Sequence, residues 1–466
     1  MFNPEKQYRC DIIRSKSTKQ MDDLLPAYAS IISQLCPLDK GEFKTSIQNE
    51  LAKLLFNETY DNLENNNKKT VDNHRTEIAG KLFGMFYKKE NIIYESESTA
   101  KLLEDNDQPA FFKNLCLNFQ FPNGTQAIQT IQKRIDDKIN LKPFHFILNL
   151  LKEAKKVNII LTKTEIGYYV LNSQEVLEGK VDTKTVLTEI TKNRDNGILK
   201  KITLVKNSAW TFQHITGQIN LLLLANLIRV VDDNIYLNLL EQETLNLFFN
   251  QLNKPLSFDI YNFDLESKEG RKKMYQNWGE YFSKVNVPNY DILSTTIEAL
   301  QQKEQEIPKE KKKGVDHTIL GDAGEEFVYL MEKERVNSYN PRLTNKVIMF
   351  GKQRGIGYDI SSVEANENIE DPEFARFIEV KSTKRTTIPS LEDKTWVDTV
   401  NLTRKEWVAA KQYRSAYNIY RVYFTPTETV IRKMNNPFEK NENGNINVLP
   451  TMYRMDFFSK SIDKQY

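Results

Sequence analysis

Apolar side chains in the first 300 residues recur at helical spacing, and short strand-like pieces interrupt them. Residues 17–56 predict two helices, and residues 73–87 predict a further amphipathic helix. The apolar positions of that third helix are Ile78, Leu82 and Met85. A strand is predicted next, at residues 92–96. Helices followed by a short strand are the order expected of a winged-helix unit.

A second stretch, residues 144–195, repeats this alternation. Thr162 and Glu165 have the spacing of a capping box, so a helix is predicted to begin there. The strongly apolar stretch Ile219–Val231 predicts a buried helix, and an Asp-Asn turn within residues 230–238 predicts a hairpin. Compact units of helices and a hairpin commonly dock a helix in the major groove of DNA.

Polar side chains of these two units are the candidates for contact with DNA. They are His74, Arg75 and Lys81 in the first unit, and Lys192, Asn193 and Arg194 in the second. The same residues could instead be exposed polar positions of helical protein–protein modules. The sequence favours DNA contact for the region and leaves the alternative open.

The length of 466 residues predicts two to four domains, because one hydrophobic core rarely extends over so long a chain. Residues 301–316 combine a proline, a run of lysines and no apolar period, which is typical of a solvated linker. We therefore predict domains at residues 1–135, 136–300 and 317–466. The linker lysines could contact phosphates, although a charge run is more often only solvated.

Composition excludes several classes of protein. The hydrophobic fraction is 39% and the charged fraction 27%, as in soluble globular proteins, and no stretch reaches the ~20 apolar residues that span a bilayer. No apolar signal region opens the chain, so we expect a cytoplasmic protein. Three cysteines without CxxC spacing and four histidines without an HExxH motif argue against disulfides and zinc. The chain also has no GxxxxGK[ST] motif for an ATP motor.

The part of the chain after the linker carries the candidate chemistry. Residues 321–335 predict an amphipathic helix with a stripe formed by Phe327, Val328 and Met331. Glu325 falls at the flank of that stripe and could point into a cleft, whereas Glu326 lies nearly opposite. Either glutamate alone is more often a solvated helix charge.

Two predicted strands then place charged residues among apolar ones. Asp359 follows Tyr358 in residues 357–362, and aspartate in a strand needs a reason. In the strand at residues 377–383, Glu379 and Lys381 share one face about 7 Å apart, given ~3.3 Å per residue. A hairpin between the two strands would bring Asp359 beside Glu379.

Phosphodiester hydrolysis needs this combination of groups. Carboxylates are the ligands that Mg²⁺ prefers, and the bound ion activates water and neutralises charge on the phosphate. A neighbouring lysine can orient that water and stabilise the transition state. The alternative is a surface Glu/Lys pair, which contributes only a few tenths of a kcal/mol. Glu379 and Lys381 taken alone favour that alternative.

The order of elements changes this balance. The predicted order resembles the core of PD-(D/E)XK nucleases. It is a helix with Glu325, a strand, a strand with Asp359, a strand with Glu379 and Lys381, a helix and a strand. The closing helix at residues 402–417 opens with a Thr403–Glu406 capping box, and a strand follows at 419–425. The motifs GxxGEExV, GYDI, IEVKST and LTxxEWxxA together resemble the C-terminal domain of NO VEIN proteins, over roughly residues 317–430.

The resemblance implies an α/β nuclease domain with a mixed sheet, behind helical, winged-helix-like domains, in an α+β multidomain chain. It implies Mg²⁺, with Mn²⁺ as a substitute, held by Asp359, Glu379 and Glu325, with Lys381 completing the catalytic set. The front part more loosely resembles recognition regions of AlwI-type restriction enzymes. We therefore expect a bacterial restriction-type endonuclease that cuts double-stranded DNA.

Partners follow from that expectation. A homodimer on DNA would cut both strands, and a separate methyltransferase or ATPase could assist. Two alternatives stay open: a phage-defence nuclease subunit that depends on a partner, and a DNA-binding protein whose nuclease fold is inactive.

Overall fold

A computed structural model describes residues 2–10, 16–198, 208–287, 290–301, 320–350, 356–366, 371–389 and 396–448. Backbone contacts divide the chain into two compact units. The first consists of Met1–Leu320, Ser382–Val400 and Val422–Ile431, and the second of Gly321–Lys381, Asn401–Arg421 and Arg432–Tyr466. The predicted linker lies outside the described residues, apart from Gln301 at the end of a helix.

The first unit opens with helices and a three-stranded sheet. Its elements are α1 (Thr18–Leu35), β1 (Leu38–Asp39), α2 (Lys40–Phe56), α3 (Asn65–Asn73), β2 (Phe86–Lys89) and β3 (Ile92–Glu95). A π-helix over His74–Leu82 continues α3. The strands pair antiparallel in the order β1-β3-β2. A helix, a short strand, two helices and a hairpin therefore follow one another.

A similar order recurs after three connecting helices, α4 (Glu97–Asp105), α5 (Gln108–Asn118) and α6 (Ile128–Asp136). The repeat contains α7 (Pro143–Lys156), β4 (Leu161–Thr162), α8 (Lys163–Ile166), α9 (Gln174–Leu177), α10 (Thr183–Asp195), α11 (Ser208–Leu224), β5 (Ile228–Val231) and β6 (Asn234–Leu237). A π-helix over Gly167–Leu171 continues α8. The strands have the order β4-β6-β5. The helices α12 (Gln242–Gln251), α13 (Lys268–Phe282) and α14 (Ile297–Gln301) follow.

Local sequence signals explain several of these boundaries. The capping box of Thr162 and Glu165 is present at the start of α8, as predicted. The predicted hairpin is also present, but its turn consists of Asp232 and Asp233, both at positive φ, as a two-residue hairpin turn requires. The prediction of one helix over Ile219–Val231 is wrong, because α11 ends at Leu224 and Ile228–Val231 is a strand.

One hydrophobic core extends through both helix-and-hairpin parts of the first unit. The cluster of buried side chains extends from Cys10 to Phe282 and includes members of both helix-and-hairpin parts, such as Phe83 and Ile190. The border predicted between residues 135 and 136 therefore does not separate two cores. Side chains that share one contact cluster are expected to fold together.

The second unit contains most of a five-stranded mixed sheet with the order β11-β10-β9-β8-β7. Its elements are α15 (Leu320–Tyr339), β7 (Ile348–Met349), β8 (Ile360–Val363), β9 (Ala375–Lys384), α16 (Arg404–Tyr413), β10 (Tyr417–Phe424), β11 (Thr429–Asn435) and α17 (Pro437–Glu442). The mixed α and β class predicted from the sequence is confirmed. No helix in the described ranges combines the length and apolar character needed to cross a membrane.

The residues that follow β9 belong to the first unit and are held there by buried carboxylates of α1. Arg385 is 2% exposed and pairs with Asp22 and Asp23. The Asp22 carboxylate also accepts the backbone N–H groups of Thr386 and Thr387, at 3.1 and 2.9 Å. Paired buried charges of this kind hold a segment in one position, because removal of Arg385 would leave its carboxylate partners uncompensated.

Candidate active site and DNA-facing residues

β8 and β9 bring the predicted acidic pair together. The strands are antiparallel, with Ile360 opposite Ile378. Asp359 directly precedes β8, and its N–H donates to the Ile378 carbonyl at 2.9 Å. The regular pairing ends at Ile360, because this bond is one position out of the register that pairs Ile360 with Ile378. Glu379 and Lys381 share one face of β9, since side chains alternate along a strand. The Asp359 carboxylate lies against β9 and interacts electrostatically with both of them.

Backbone contacts fix the position of Asp359. Its Oδ2 accepts the N–H of Val380 at 2.7 Å, which orients the carboxylate beside β9. Gly357, two residues earlier, has φ +84°, and a Cβ there would lie 2.8 Å from Cβ of Ala409 and 2.9 Å from the carbonyl oxygen of Lys405. Glycine is therefore required at this position for α16 to approach the strand so closely.

Lys381 is bound by two carboxylates. Its Nζ lies 2.7 Å from Oε1 of Glu379 and 3.0 Å from Oε2 of Glu406. The Glu379 side chain is only 4% exposed. Sequence reasoning assigned Glu406 to the Thr403 capping box alone, and that box is present. The contact of Glu406 with Lys381 was not predicted. The available signal was a charged residue in the first turn of the helix that follows the strand of Glu379 and Lys381.

The three acids and one ammonium perturb one another. Burial, aided by the charges of Asp359 and Glu406 and opposed by Lys381, raises the pKa of Glu379 to about 9. Burial also raises the pKa of Asp359, against the Val380 N–H and Lys381. Burial alone would lower the pKa of Lys381, but Glu379 and Glu406 together raise it. Perturbed values in one cluster are typical of functional sites.

The donor set fits a hard divalent cation. Asp359 and Glu379 offer carboxylate oxygens whose charged forms are disfavoured by burial and mutual repulsion, and a cation would relieve both. Within the described ranges, no group of three or more His, Cys, Asp or Glu side chains is arranged to hold a metal. Mg²⁺ commonly takes only one or two carboxylates and keeps several waters, so two ligands suffice.

Glu325 occupies the first turns of α15 and is partly buried. The buried positions of that helix are Gly324, Val328, Glu332 and Val336, one helical turn apart. The predicted stripe is therefore wrong in part, since Phe327 is 40% exposed. The role of Glu325 as helix acid and metal ligand stays a prediction.

Glu332 is a buried acid that the sequence analysis missed. It is fully buried, bonds Ser362 on β8 at 2.9 Å and Tyr420 on β10 at 2.9 Å, and pairs with Arg335 and Arg376. These partners hold its pKa below the usual range despite burial, which alone would raise it. Two arginines and two hydroxyl groups satisfy this carboxylate, so Glu332 joins α15 to the sheet as a structural group.

The first group of predicted DNA-facing residues is only partly exposed. His74 is 4% exposed, bonds the Tyr28 hydroxyl group through Nδ1, and has a pKa lowered by burial to about 4. It is a neutral core residue, which corrects the prediction. Arg75 is mostly buried and pairs with Asp72 at 3.3 Å. Lys81 is 45% exposed and pairs with the acid one turn earlier, so it stays a candidate.

The second group divides in the same way. Asn193 is 6% exposed, and its Nδ2 donates to the Tyr169 hydroxyl group at 3.0 Å. It was predicted to face DNA, but it is buried. Arg194 binds the capping carboxylate of Glu165 through Nε and Nη2 at 2.7 and 2.6 Å. Lys192 is 64% exposed and stays a candidate. The apolar period alone could not separate these cases, because each residue lies at the edge of a buried helix face.

Comparison with known families first defines the class of each part. A family model described as "Protein NO VEIN, C-terminal" matches residues 324–434, which confirms the resemblance inferred from the motifs. That range contains Asp359, Glu379, Lys381 and Glu406. It represents about a quarter of the chain.

The chain belongs to the family described as "Restriction endonuclease BpuJI - N terminal", whose model matches residues 2–279. A solved structure titled "Crystal structure of pyrene- and phenanthrene-modified DNA in complex with the BpuJ1 endonuclease binding domain" is similar to it. The two share 43% sequence identity with a TM-score of 0.58, over 61% of this chain and 100% of the other. No curated protein matches. The looser likeness to AlwI-type enzymes stays a prediction.

Proposed function

We propose that this chain is a Mg²⁺-dependent, restriction-type endonuclease of the PD-(D/E)XK kind that hydrolyses double-stranded DNA. One observation carries the proposal: Asp359 and Glu379, both with raised pKa values, lie together beside the Lys381 ammonium. In a chain of a restriction endonuclease family, such a group of charges would bind the metal ion and stabilise the phosphate during hydrolysis.

Residues 2–279 would recognise DNA. The similar BpuJ1 binding domain was solved in complex with DNA, and the sequence identity of 43% supports DNA as the partner of this chain as well. Each helix-and-hairpin part has the element order of a winged helix, so we propose two winged-helix units. Lys81 and Lys192 are exposed cations of these parts and would contact phosphates, which makes binding depend on salt.

Each residue of the candidate site then has a role. Asp359 and Glu379 would hold Mg²⁺, which supplies an activated water and neutralises charge on the phosphate. Lys381 would orient the attacking water and stabilise negative charge at the scissile phosphate. The Val380 N–H keeps Asp359 oriented towards β9. Cutting both strands requires two such sites, so we propose a homodimer on DNA in a bacterial cytoplasm.

The test is the Glu379→Gln variant with mixed plasmid and genomic DNA and Mg²⁺. Cleavage should fall on the order of 10³-fold or more, because several kcal/mol of charge stabilisation are lost. DNA binding, measured by fluorescence anisotropy in EDTA, should be retained. The matched control is Glu334→Gln, an exposed glutamate on α15, which should cut like wild type.

Two outcomes would contradict the proposal. Undiminished cleavage by Glu379→Gln would remove the assigned site. A wild-type protein that binds DNA but cuts none with Mg²⁺ or Mn²⁺ would favour an inactive fold, whereas cutting only after addition of a host lysate would favour a partner-dependent defence nuclease.

A further inference from the structure

The first turn of α16 makes contacts of two kinds. Thr403 caps the helix, and Oε2 of Glu406 accepts the N–H of Thr403 at 2.8 Å, which completes the capping box. The same Oε2 lies 3.0 Å from Nζ of Lys381. In an ordinary capping box the glutamate serves only the helix end. Here its carboxylate also receives the ammonium of the candidate site.

We propose that Glu406 is a positioning residue that holds the Lys381 ammonium in place for catalysis, independently of Glu379. The inference rests on the proposed function. Glu379 is bonded to Lys381 but is also a proposed ligand of Mg²⁺, so its oxygens have two competing uses. Glu406 binds Lys381 from a different element of the second unit, because it lies on α16 and not on β9.

The need for such an anchor follows from the lysine side chain. Lysine is flexible and loses considerable rotamer freedom when it is held in one geometry. The Lys381 side chain is 22% exposed, whereas those of Glu379 and Glu406 are 4% and 15% exposed. A second, partly buried partner keeps the ammonium beside Asp359 and Glu379 instead of extending into solvent.

The backbone fixes the position of Glu406. The Thr403 cap sets where α16 begins. The helix approaches Gly357 so closely that a Cβ atom added to this glycine would lie 2.9 Å from the carbonyl oxygen of Lys405. The Tyr417 hydroxyl group donates to the Gly357 carbonyl at 2.9 Å and holds the same loop. The carboxylate of Glu406 is therefore attached to a rigid helix end, which is what a positioning group requires.

Two substitutions separate the cap from the ammonium contact. Glu406→Gln retains a capping box, because glutamine also serves at this position, but it removes the charge that binds Lys381. Thr403→Ala removes the capping hydroxyl group and leaves the Glu406 carboxylate in place. We expect Glu406→Gln to lower the single-turnover cleavage rate at saturating DNA by about 10- to 100-fold, with KM and melting temperature nearly unchanged. Thr403→Ala should lower the melting temperature by about 2–4 °C and leave the cleavage rate nearly unchanged.

A double-mutant cycle provides a readout that does not need activity. Lys381→Met, Glu406→Gln and the double variant are melted in EDTA. Glu406→Gln should change the melting temperature little by itself but raise it in the Lys381→Met background, where it removes a carboxylate that has lost its ammonium, so the changes should be non-additive. In cleavage assays, Glu406→Gln should have no further effect in the Lys381→Met background.

Different outcomes overturn different claims. If wild-type protein cuts DNA and the Glu406→Gln variant cuts it equally fast, the proposed function stands and the inference about Glu406 is wrong. Equal loss of rate in Thr403→Ala and Glu406→Gln shows that the helix end as a whole matters, and also removes it. Additive changes in the cycle have the same consequence. Wild-type protein that cuts no DNA removes both.

Discussion

Two buried charge clusters, one in each unit, differ in how well their charges are matched. In the first unit, Lys113 is fully buried, and its Nζ lies 2.7 Å from Glu241 and 2.8 Å from the Thr295 hydroxyl group. Asn226 donates to the other oxygen of Glu241 at 2.9 Å. In the second unit, Glu379 and Glu406 share one ammonium, and the charge of Asp359 also acts on Glu379.

The balance of charge in a buried cluster distinguishes a structural ion pair from a functional site. One carboxylate and one ammonium, each with a further hydrogen-bond partner, cancel inside the first unit and maintain one arrangement of helices. Three carboxylates around one ammonium leave net negative charge that the described side chains do not neutralise. That excess disfavours the metal-free state and favours a cation or a proton. The predictions below test this contrast.

The largest effect should come from breaking the matched pair. Lys113→Met leaves the buried Glu241 carboxylate without its ammonium, so the free energy of unfolding should fall by about 3–5 kcal/mol. Urea denaturation followed by circular dichroism measures this loss. The double variant Lys113→Met/Glu241→Gln should recover much of it, since no charge is then left unpaired. A double variant as unstable as the single one would mean that packing, and not charge, is at stake.

The unmatched cluster should respond to metal instead. Mg²⁺ should raise the melting temperature of the DNA-free wild-type protein, by an amount equivalent to about 2.7 kcal/mol when its concentration is 100 times the dissociation constant. Differential scanning fluorimetry measures the shift. Glu379→Gln and Asp359→Asn should abolish it, whereas Lys113→Met should retain it. A shift that survives in both site variants would locate the metal elsewhere.

A pH series should reveal the excess negative charge without metal. The pKa of Glu379 is raised to about 9, so the folded protein binds a proton that the unfolded chain releases above its ordinary pKa near 4.5. Stability from this group is present at low pH and is lost as pH rises from about 4.5 to 9. In EDTA, Glu379→Gln should therefore be more stable than wild type at pH 8 by roughly 1–3 kcal/mol.

The comparison at pH 5 is the control for that series. At pH 5 the two proteins should differ much less than at pH 8, because Glu379 is protonated in the folded state and still about one quarter protonated when unfolded. A constant difference between wild type and Glu379→Gln across the range would mean that Glu379 does not titrate in it. Titrating groups outside the site act equally in both proteins and cancel.

The sequence predicted the elements of the site better than its contacts. Helical period, alternation and capping boxes are local signals, so the strand of Glu379 and Lys381 and the helix that begins after Thr403 were found correctly. Glu406 was assigned to its cap, because nothing in a local motif shows that the helix end meets a strand 25 positions earlier. Glu332 was missed for a related reason: an acid in a buried stripe is recognised only when its arginine partners are seen.

The errors in the first unit have the same origin but concern polar residues that were expected to be exposed. His74 and Asn193 were expected at a surface because they are polar, yet each bonds a tyrosine hydroxyl group inside the core. Polar type does not determine exposure when a partner of matching hydrogen-bonding capacity lies within reach. Tertiary pairing, which is not local in sequence, decided these positions.

The smallest expected effect concerns Glu325, whose predicted role distinguishes it from its neighbour Glu326 on α15. Glu325 is partly buried and Glu326 is exposed, so the two form a matched pair of adjacent acids on one helix. If Glu325 contributes to the charge around the metal without being a necessary ligand, Glu325→Gln should slow single-turnover cleavage by about 10-fold, equivalent to ~1.4 kcal/mol. Glu326→Gln should cut like wild type, and neither change should alter DNA binding in EDTA. Equal rates for the two variants would limit the site to Asp359, Glu379, Lys381 and Glu406, and the negative charge that distinguishes the second cluster from the first would then come from the sheet and α16 alone.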